Sequence, residues 1–173
     1  MKNIALLLAL SICPAPLFAQ GSSDPLSKST KMFFGMVKNN VLKSAEEMPE
    51  ANYSFKPTAD VRSFGELIGH IADAQYEFCG PVNADGTKPP EVEQNKKTKA
   101  DLIQGLKDGF AYCDKAYDSM TDAKGTEMMD MFGRKMPKLM ALEINIAHMD
   151  EHYGNIVTYL RIKGLVPPSS QGH

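Results

Sequence analysis

The chain has 173 residues, 43% of them hydrophobic and 23% charged, with a formal net charge of −2. That length suits one domain with a sizeable core, and the near-neutral charge leaves no electrostatic footprint for nucleic acid. Gly and Pro, at 13 and 11 residues, are ordinary in number and exclude collagen-like and disordered classes.

Residues 1–19 read as a secretory signal peptide. Lys2 supplies a positive n-region, Ile4 to Ile12 an apolar stretch too short to span a bilayer, and Ala19 a small residue before the expected cut. Cys13 is preceded by Ile12, which is not the small residue that lipid attachment prefers. Loss of Lys2 takes the net charge from −2 to −3. The mature protein is therefore expected to be exported, periplasmic or secreted, with no membrane attachment after cleavage.

Four amphipathic segments follow. Asp24-Pro25 reads as an N-cap with Pro at the first helical position. Leu26, Thr30, Phe33, Val37 and Val41 then make one apolar face, and the helix stops near Met48 because Pro49 follows. Ser63 to Cys79 forms a second helix. It opens on a Ser63-x-x-Glu66 capping box, carries Phe64, Leu67, Ile71, Ala74 and Phe78 as its stripe, and ends at Gly80-Pro81. Residues 80 to 97 form a long link without structure of their own. Thr98 caps a third helix to about Ser119. Residues 120 to 136 are irregular, with a tight turn at Phe132-Gly133-Arg134, and Pro137 opens a fourth helix to about Lys163. No strand is expected. The fold class is all-α, a four-helix bundle over residues 25–168 with a mobile tail over 169–173.

Two cysteines remain after the leader, Cys79 and Cys113. In an oxidising compartment they form one disulfide, or else two separate buried thiols. A bridge constrains topology. Cys79 ends the second helix and Cys113 lies well inside the third, so an antiparallel pairing would separate them by ~22 Å along the axis, against a Cα limit of ~7 Å. The link, extended, reaches up to ~60 Å, enough to return along the ~25 Å second helix. A bridge therefore implies up-down-down-up order, with the long crossover between the second and third helices.

Histidine is scarce: His70, His148, His152 and the terminal His173. His148 and His152, at i and i+4, project from one helix face at the edge of the bundle interior. His70 occupies the middle of the second helix, at the matching level. Three imidazoles meeting there can bind a divalent ion with coordination positions left open.

The run Tyr53-Ser54-Phe55-Lys56-Pro57, then Arg62-Ser63-Phe64-Gly65-Glu66-Leu67-Ile68-Gly69-His70-Ile71-Ala72-Asp73-Ala74, resembles the lead into the second helix of DinB/YfiT-like proteins. Their H-x-x-x-H pair on the last helix is matched by His148 and His152. The resemblance covers residues 25 to 168. It implies an up-down-down-up bundle, a metal site on His70, His148 and His152 with zinc or nickel as the ion, and a homodimer. It also implies kinship with thiol-dependent S-transferases and isomerases.

Two competing motifs are weaker. His148-Met149-Asp150-Glu151-His152 also fits the H-x-x-E-H zinc-protease pattern. That pattern needs a downstream acidic ligand, and no Asp or Glu follows His152. Glu151 is expected at the surface. Met128, Met129, Met131, Met136 and Met140 offer soft ligands for Cu(I) but read as adaptable packing. Asn40 and Asn145 are placed near the inward faces, within hydrogen-bonding range of the site. The expected function is a metal-dependent enzyme acting on a small-molecule electrophile, by thiol-transfer or hydrolase-like chemistry. The alternative is a metal-binding or stress-associated protein without catalysis. No catalytic base is assigned by the sequence.

Overall fold

The computed structural model describes residues 23–172. The leader over 1–19 and His173 lie outside them. Four long helices carry the structure: α1 (Pro25–Glu47), α2 (Phe64–Asn83), α4 (Lys99–Ser119) and α6 (Lys138–Ile162). Two short helices, α3 (Val92–Asn95) and α5 (Asp122–Gly125), and a two-stranded sheet complete it.

The helix ends show why the segments begin where they do. Ser63 Oγ accepts from the Glu66 N–H at 3.2 Å, and the Glu66 carboxylate accepts from the Ser63 N–H at 2.7 Å, so the capping box forms as expected. Thr98 Oγ1 accepts from the Asp101 N–H at 3.1 Å. The start of α1 differs. Asp24 makes no side-chain cap there; the Asp122 carboxylate takes the N–H groups of Leu26 and Ser27 at 3.2 and 2.8 Å. The buried face of α1 is also rotated. Phe34 is buried and stacks on Tyr117 at 3.9 Å between ring centroids, whereas Leu26 and Phe33 are 60% and 47% exposed. Spacing alone does not choose between two adjacent phenylalanines; the partner ring does.

Two further expectations need correction. The molecule is not wholly α-helical. β1 (Met128–Met131) and β2 (Arg134–Pro137) form an antiparallel hairpin with Met131 opposite Arg134. Phe132 and Gly133 take positive φ of 52° and 74°, the two-residue connection whose twist matches paired strands. Met128-Met129-Asp130-Met131 and Arg134-Lys135-Met136-Pro137 do not alternate apolar with polar residues, so periodicity gives no strand signal there. The link after α2 is also shorter and more ordered than expected. α2 runs through Pro81 to Asn83, where the Asn83 amide donates to the Tyr112 carbonyl, and residues 92–95 form a helical turn. The segment after α6 meets the bundle: residues 168–170 form a 3₁₀ turn, and the Ser169 N–H donates to Tyr153 Oη at 3.0 Å.

Contacts between the long helices advance in steady register. From α2 to α4, the methylene of Gly65 faces Leu102, Gly109 faces the Ala72 carbonyl, and Cys79 meets Cys113. From α2 to α6, Phe64 meets Tyr159, His70 meets His152, and Gln75 meets Asn145. From α1 to α4, Lys31 pairs with Asp118 and Lys107 with Glu46. The core between them holds Phe34, Phe64, Ile68, Ile71, Leu106, Phe110, Leu142, Met149, Ile156 and Leu160, all essentially out of solvent. No helix among the described residues is long and apolar enough to cross a membrane.

The sulfur atoms of Cys79 and Cys113 stand at disulfide distance, with Cα atoms 5.3 Å apart and both residues fully buried. Closing this loop in the unfolded chain is worth about 3–4 kcal/mol in the chain-entropy treatment. Cys79→Ser is expected to lower the urea midpoint of the oxidised protein accordingly. Mass spectrometry of the unreduced, thiol-blocked protein should find neither cysteine alkylated.

Glycines give a second expectation. A Cβ on Gly69 would lie 2.6 Å from Glu93 Cα and 2.8 Å from its nitrogen, a clash with backbone; a Cβ on Gly154 meets nothing within 4 Å. Gly69→Ala should therefore lower the melting temperature despite better helix propensity. Gly154→Ala should raise stability by about 0.5–1 kcal/mol.

Candidate metal centre

The middle of α2 and the middle of α6 face each other through three imidazole rings. His148 Nε2 lies 3.2 Å from His70 Nε2 and 3.0 Å from His152 Nε2. One ring nitrogen from each of the three lies within 4.8 Å of the others. His152 is 9% exposed, and His70 and His148 are half-buried. The i, i+4 spacing on α6 puts two rings one turn apart on one face. The partnering of α2 with α6 brings the third ring to the same level.

These distances suit a shared cation. Two nitrogens each ~2.1 Å from one ion, at tetrahedral to right-angle separation, stand ~3.0–3.4 Å apart. The donor set points the same way. A neutral imidazole carries one proton on two nitrogens, and His148 Nε2 faces both other Nε2 atoms, so protons alone satisfy the cluster poorly. One divalent ion would take all three lone pairs.

Local electrostatics favour the neutral form of the two rings on α6. Burial, followed by the neighbouring His152 and His70, holds His148 down to about 4. Burial first, then His70, lowers His152 as well. Phe78 packs on His148 at 5.1 Å between ring centroids, and Phe132 at the hairpin tip packs on Phe78 at 5.6 Å, so an apolar wall backs the site.

The rings differ behind the ligand atoms. Nδ1 of His148 and of His152 is buried without a hydrogen-bond partner among the described residues. His70 Nδ1 instead faces Glu93 Oε2 at 3.4 Å. Glu93 is also paired with Arg62, whose Nε donates to Oε1 at 2.8 Å. Beside the triad opens a cleft of about 740 Å³, which His152 and Glu93 line together with Lys56, Val61, Leu67 and Tyr159.

Other residues singled out from the sequence fall elsewhere. Glu151 is exposed and bears on His152 only through its charge. Asn145 is fully buried, but its amide donates to Gln75 Oε1 at 3.1 Å and Tyr117 Oη at 3.2 Å, in a polar knot beside the cysteines rather than at the histidines. The Asn40 side chain is half-buried on α1. The methionines divide: Met131 and Met136 are buried with Ala74, Phe78 and Ala141, while Met128 and Met140 are exposed, as packing rather than a thioether site requires. Glu93 carried no sequence signal, because it sits in a segment without periodicity.

The model of the DinB superfamily matches residues 34–156, a span that contains all three histidines. The chain belongs to the DinB superfamily. The uncharacterized protein YjoA of Bacillus subtilis (strain 168) is similar to it at 27% identity over 126 residues, covering 69% of this chain and 79% of YjoA. Among solved structures, a DinB-like protein from Bacillus cereus ATCC 10987 shares the fold at TM-score 0.72 and 18% identity, over 82% of this chain and 95% of that one. The B. subtilis YjoA structure does so at TM-score 0.67 and 24% identity, over 84% and 99%. A mycothiol-dependent maleylpyruvate isomerase matches at TM-score 0.60 and 14% identity, over 76% of this chain but 60% of its own length. At these identities the likeness to the structures is one of fold.

The depressed histidines make stability depend on pH. With a folded value below the unfolded ~6.5, the unfolded chain binds more protons than the native one across the interval down to about 4. Stability is therefore full above pH ~6.5 and falls as pH drops through that interval. Urea midpoints of metal-free protein should decline from pH 7 to pH 5, and His148→Gln should flatten the decline. Glu66, held down to about 2 first by its backbone hydrogen bond at Ser63, acts in the same direction only below its usual range, so the two effects separate on the pH axis.

Proposed function

We propose that this DinB-superfamily protein is an exported metalloenzyme in which His70, His148 and His152 hold one divalent ion, zinc or nickel. It acts on a small-molecule electrophile by thiol-transfer or hydrolase-like chemistry. The observation that carries the reading is the convergence of three Nε2 atoms, with contacts of 3.0 and 3.2 Å, beside a cleft that His152 lines and that is large enough for a small molecule. When bound, the ion would supply a Lewis acid that lowers the pKa of a water or thiol at its open position.

The chain's own residues would do the rest. Val61, Leu67 and Pro57 give the cleft an apolar wall. Lys56 and Arg62 bring positive charge into it, each held by a carboxylate: Glu66 for Lys56 at 3.2 Å and Glu93 for Arg62 at 2.8 Å. Charged groups fixed in this way orient a polar substrate without reorganising. A cleft beside the triad favours catalysis over storage of the ion. The named activity of the mycothiol-dependent isomerase supports thiol chemistry as the first to test.

The same reading includes the up-down-down-up bundle, which the register of contacts among α1, α2, α4 and α6 supports. Export is supported by the leader-like residues 1–19 and by a cysteine pair of the kind that persists in oxidising compartments. A homodimer is supported by Leu26, Met32, Phe33 and Met36, which leave apolar surface exposed along α1.

Elemental analysis of protein purified from the periplasm should find one zinc or nickel ion per chain. His70→Ala, His148→Ala and His152→Ala should each lose stoichiometric binding, and His173→Ala should keep it. Chelator should lower the melting temperature of the wild type, because an ion bound only by the native state stabilises it by mass action. Turnover of a low-molecular-weight thiol with a small electrophile, or of a small ester, should appear in loaded wild type and vanish in the histidine variants. Full metal occupancy in the triple variant would sink the site. Stoichiometric metal with no turnover would leave a binding protein.

A further inference from the structure

We propose that Glu93, carried by the crossover between α2 and α4, is a positioning residue for the metal centre. It accepts the Nδ1 proton of His70 and so presents the Nε2 lone pair to the ion. This rests on the metal reading above and adds to it a residue that no motif marks.

Several independent features hold Glu93 where it is. The Asp73 carboxylate, one turn beyond His70 on α2, accepts the N–H groups of Val92 at 2.8 Å and of Glu93 at 3.0 Å. The crossover backbone is thereby fastened to the helix that bears the ligand. Gly69, the residue before His70, has no Cβ, and one placed there would lie 2.6 Å from Glu93 Cα. The close approach therefore exists only because residue 69 is glycine. Val92, buried, fills the notch at Gly105 on α4, where an added Cβ would come within 2.7 Å of it. The turn that bears Glu93 is thus wedged between α2, against Glu93 itself, and α4, against Val92.

Its carboxylate is divided between two tasks. Oε1 accepts from Arg62 Nε at 2.8 Å, and Oε2 faces His70 Nδ1 at 3.4 Å. Arg62 is anchored in turn, because Tyr159 Oη on α6 donates to its backbone carbonyl at 2.6 Å. The carboxylate is consequently referenced to both helices that supply ligands. A histidine ligand depends on such a partner: the group behind the distal nitrogen fixes the tautomer and raises the basicity of the ligating one. At 3.4 Å the contact is longer than an ordinary hydrogen bond, so donation from Nδ1 requires the two groups to close by a few tenths of an ångström. His148 and His152 lack a partner at Nδ1 among the described residues, which makes His70 the ligand whose ring orientation is set from outside the triad.

The test uses the full mature protein with zinc as the probe. Ring-nitrogen NMR of histidine-labelled protein reads the tautomer, and competition with a chromophoric chelator at pH 7 reads affinity. In metal-free and zinc-loaded wild type, His70 should carry its proton on Nδ1. Glu93→Ala should lose that preference in the metal-free state and bind one zinc about 10–100-fold more weakly. Glu93→Gln, whose amide oxygen still accepts, should fall between them. Glu151→Gln removes an equal charge beside His152 without touching a ring nitrogen and should leave affinity nearly unchanged.

A wild-type His70 protonated on Nε2 in the metal-free state overturns the proposal even if Glu93→Ala does not fold. Equal zinc affinity in wild type and Glu93→Ala overturns it too. Wild-type protein that binds no zinc yet shows the Nδ1 proton would remove the metal reading while leaving the Glu93–His70 contact standing.

Discussion

The site depends on the fixing of α2 from three sides at once. On one side Cys79 meets Cys113 of α4 with 5.3 Å between Cα atoms. On another, His70 meets His148 and His152 of α6. On the third, Asp73 and Gly69 receive the crossover. A sliding of α2 by one turn, about 5.4 Å, would break all three sets of contacts together. The register of this helix is therefore strongly specified, and the separation of the imidazoles follows from it.

Polarity inside the bundle is arranged around the same helix. Two polar groups sit in the interface of α2 and α6, roughly a turn apart. One is the knot of Gln75, Asn145 and Tyr117, in which Asn145 donates and Tyr117 Oη passes its own proton to the Leu142 carbonyl at 2.8 Å. The other is the histidine triad. The knot is largely satisfied within the protein, with Asn145 Oδ1 as its exception. The triad points its ligand nitrogens at one another. Buried polar groups are ordinarily paired, and the triad, with Nδ1 of His148 and of His152 unpartnered among the described residues, departs from that rule further than the knot does.

Family membership and local detail carry different information. The DinB superfamily match spans residues 34–156 and so takes in both histidine-bearing helices. The fold is shared with solved structures at 18% and 24% identity. A bundle tolerates such divergence because apolar residues at the right spacing suffice to build it. What distinguishes a site on a shared fold is the particular set of side chains around it. Here that set is Arg62 and Glu93 behind His70, and the hairpin whose Phe132 covers Phe78.

The four long helices were legible in the sequence because their signals are local. Capping by Ser63 and Thr98, Pro137 before α6, and apolar residues at steps of three and four all act within one or two turns. The three histidines were legible for a related reason: i, i+4 spacing fixes two rings on one face, and few other histidines compete. The face of α1 was not, since Phe33 and Phe34 are equivalent until Tyr117 stacks on one of them. The hairpin was not, since four-residue strands gain their pairing only from each other and from the Phe78 surface beneath. Glu93 was least legible of all. Its place comes from Asp73, Gly69, Gly105 and Arg62, spread along forty-odd positions of chain, and only their assembly in space gives the carboxylate a histidine to face. Sequence determined which histidines could share one level of the bundle, because that is a matter of type and local spacing; tertiary structure decided how they are held, because that depends on contacts between segments remote along the chain.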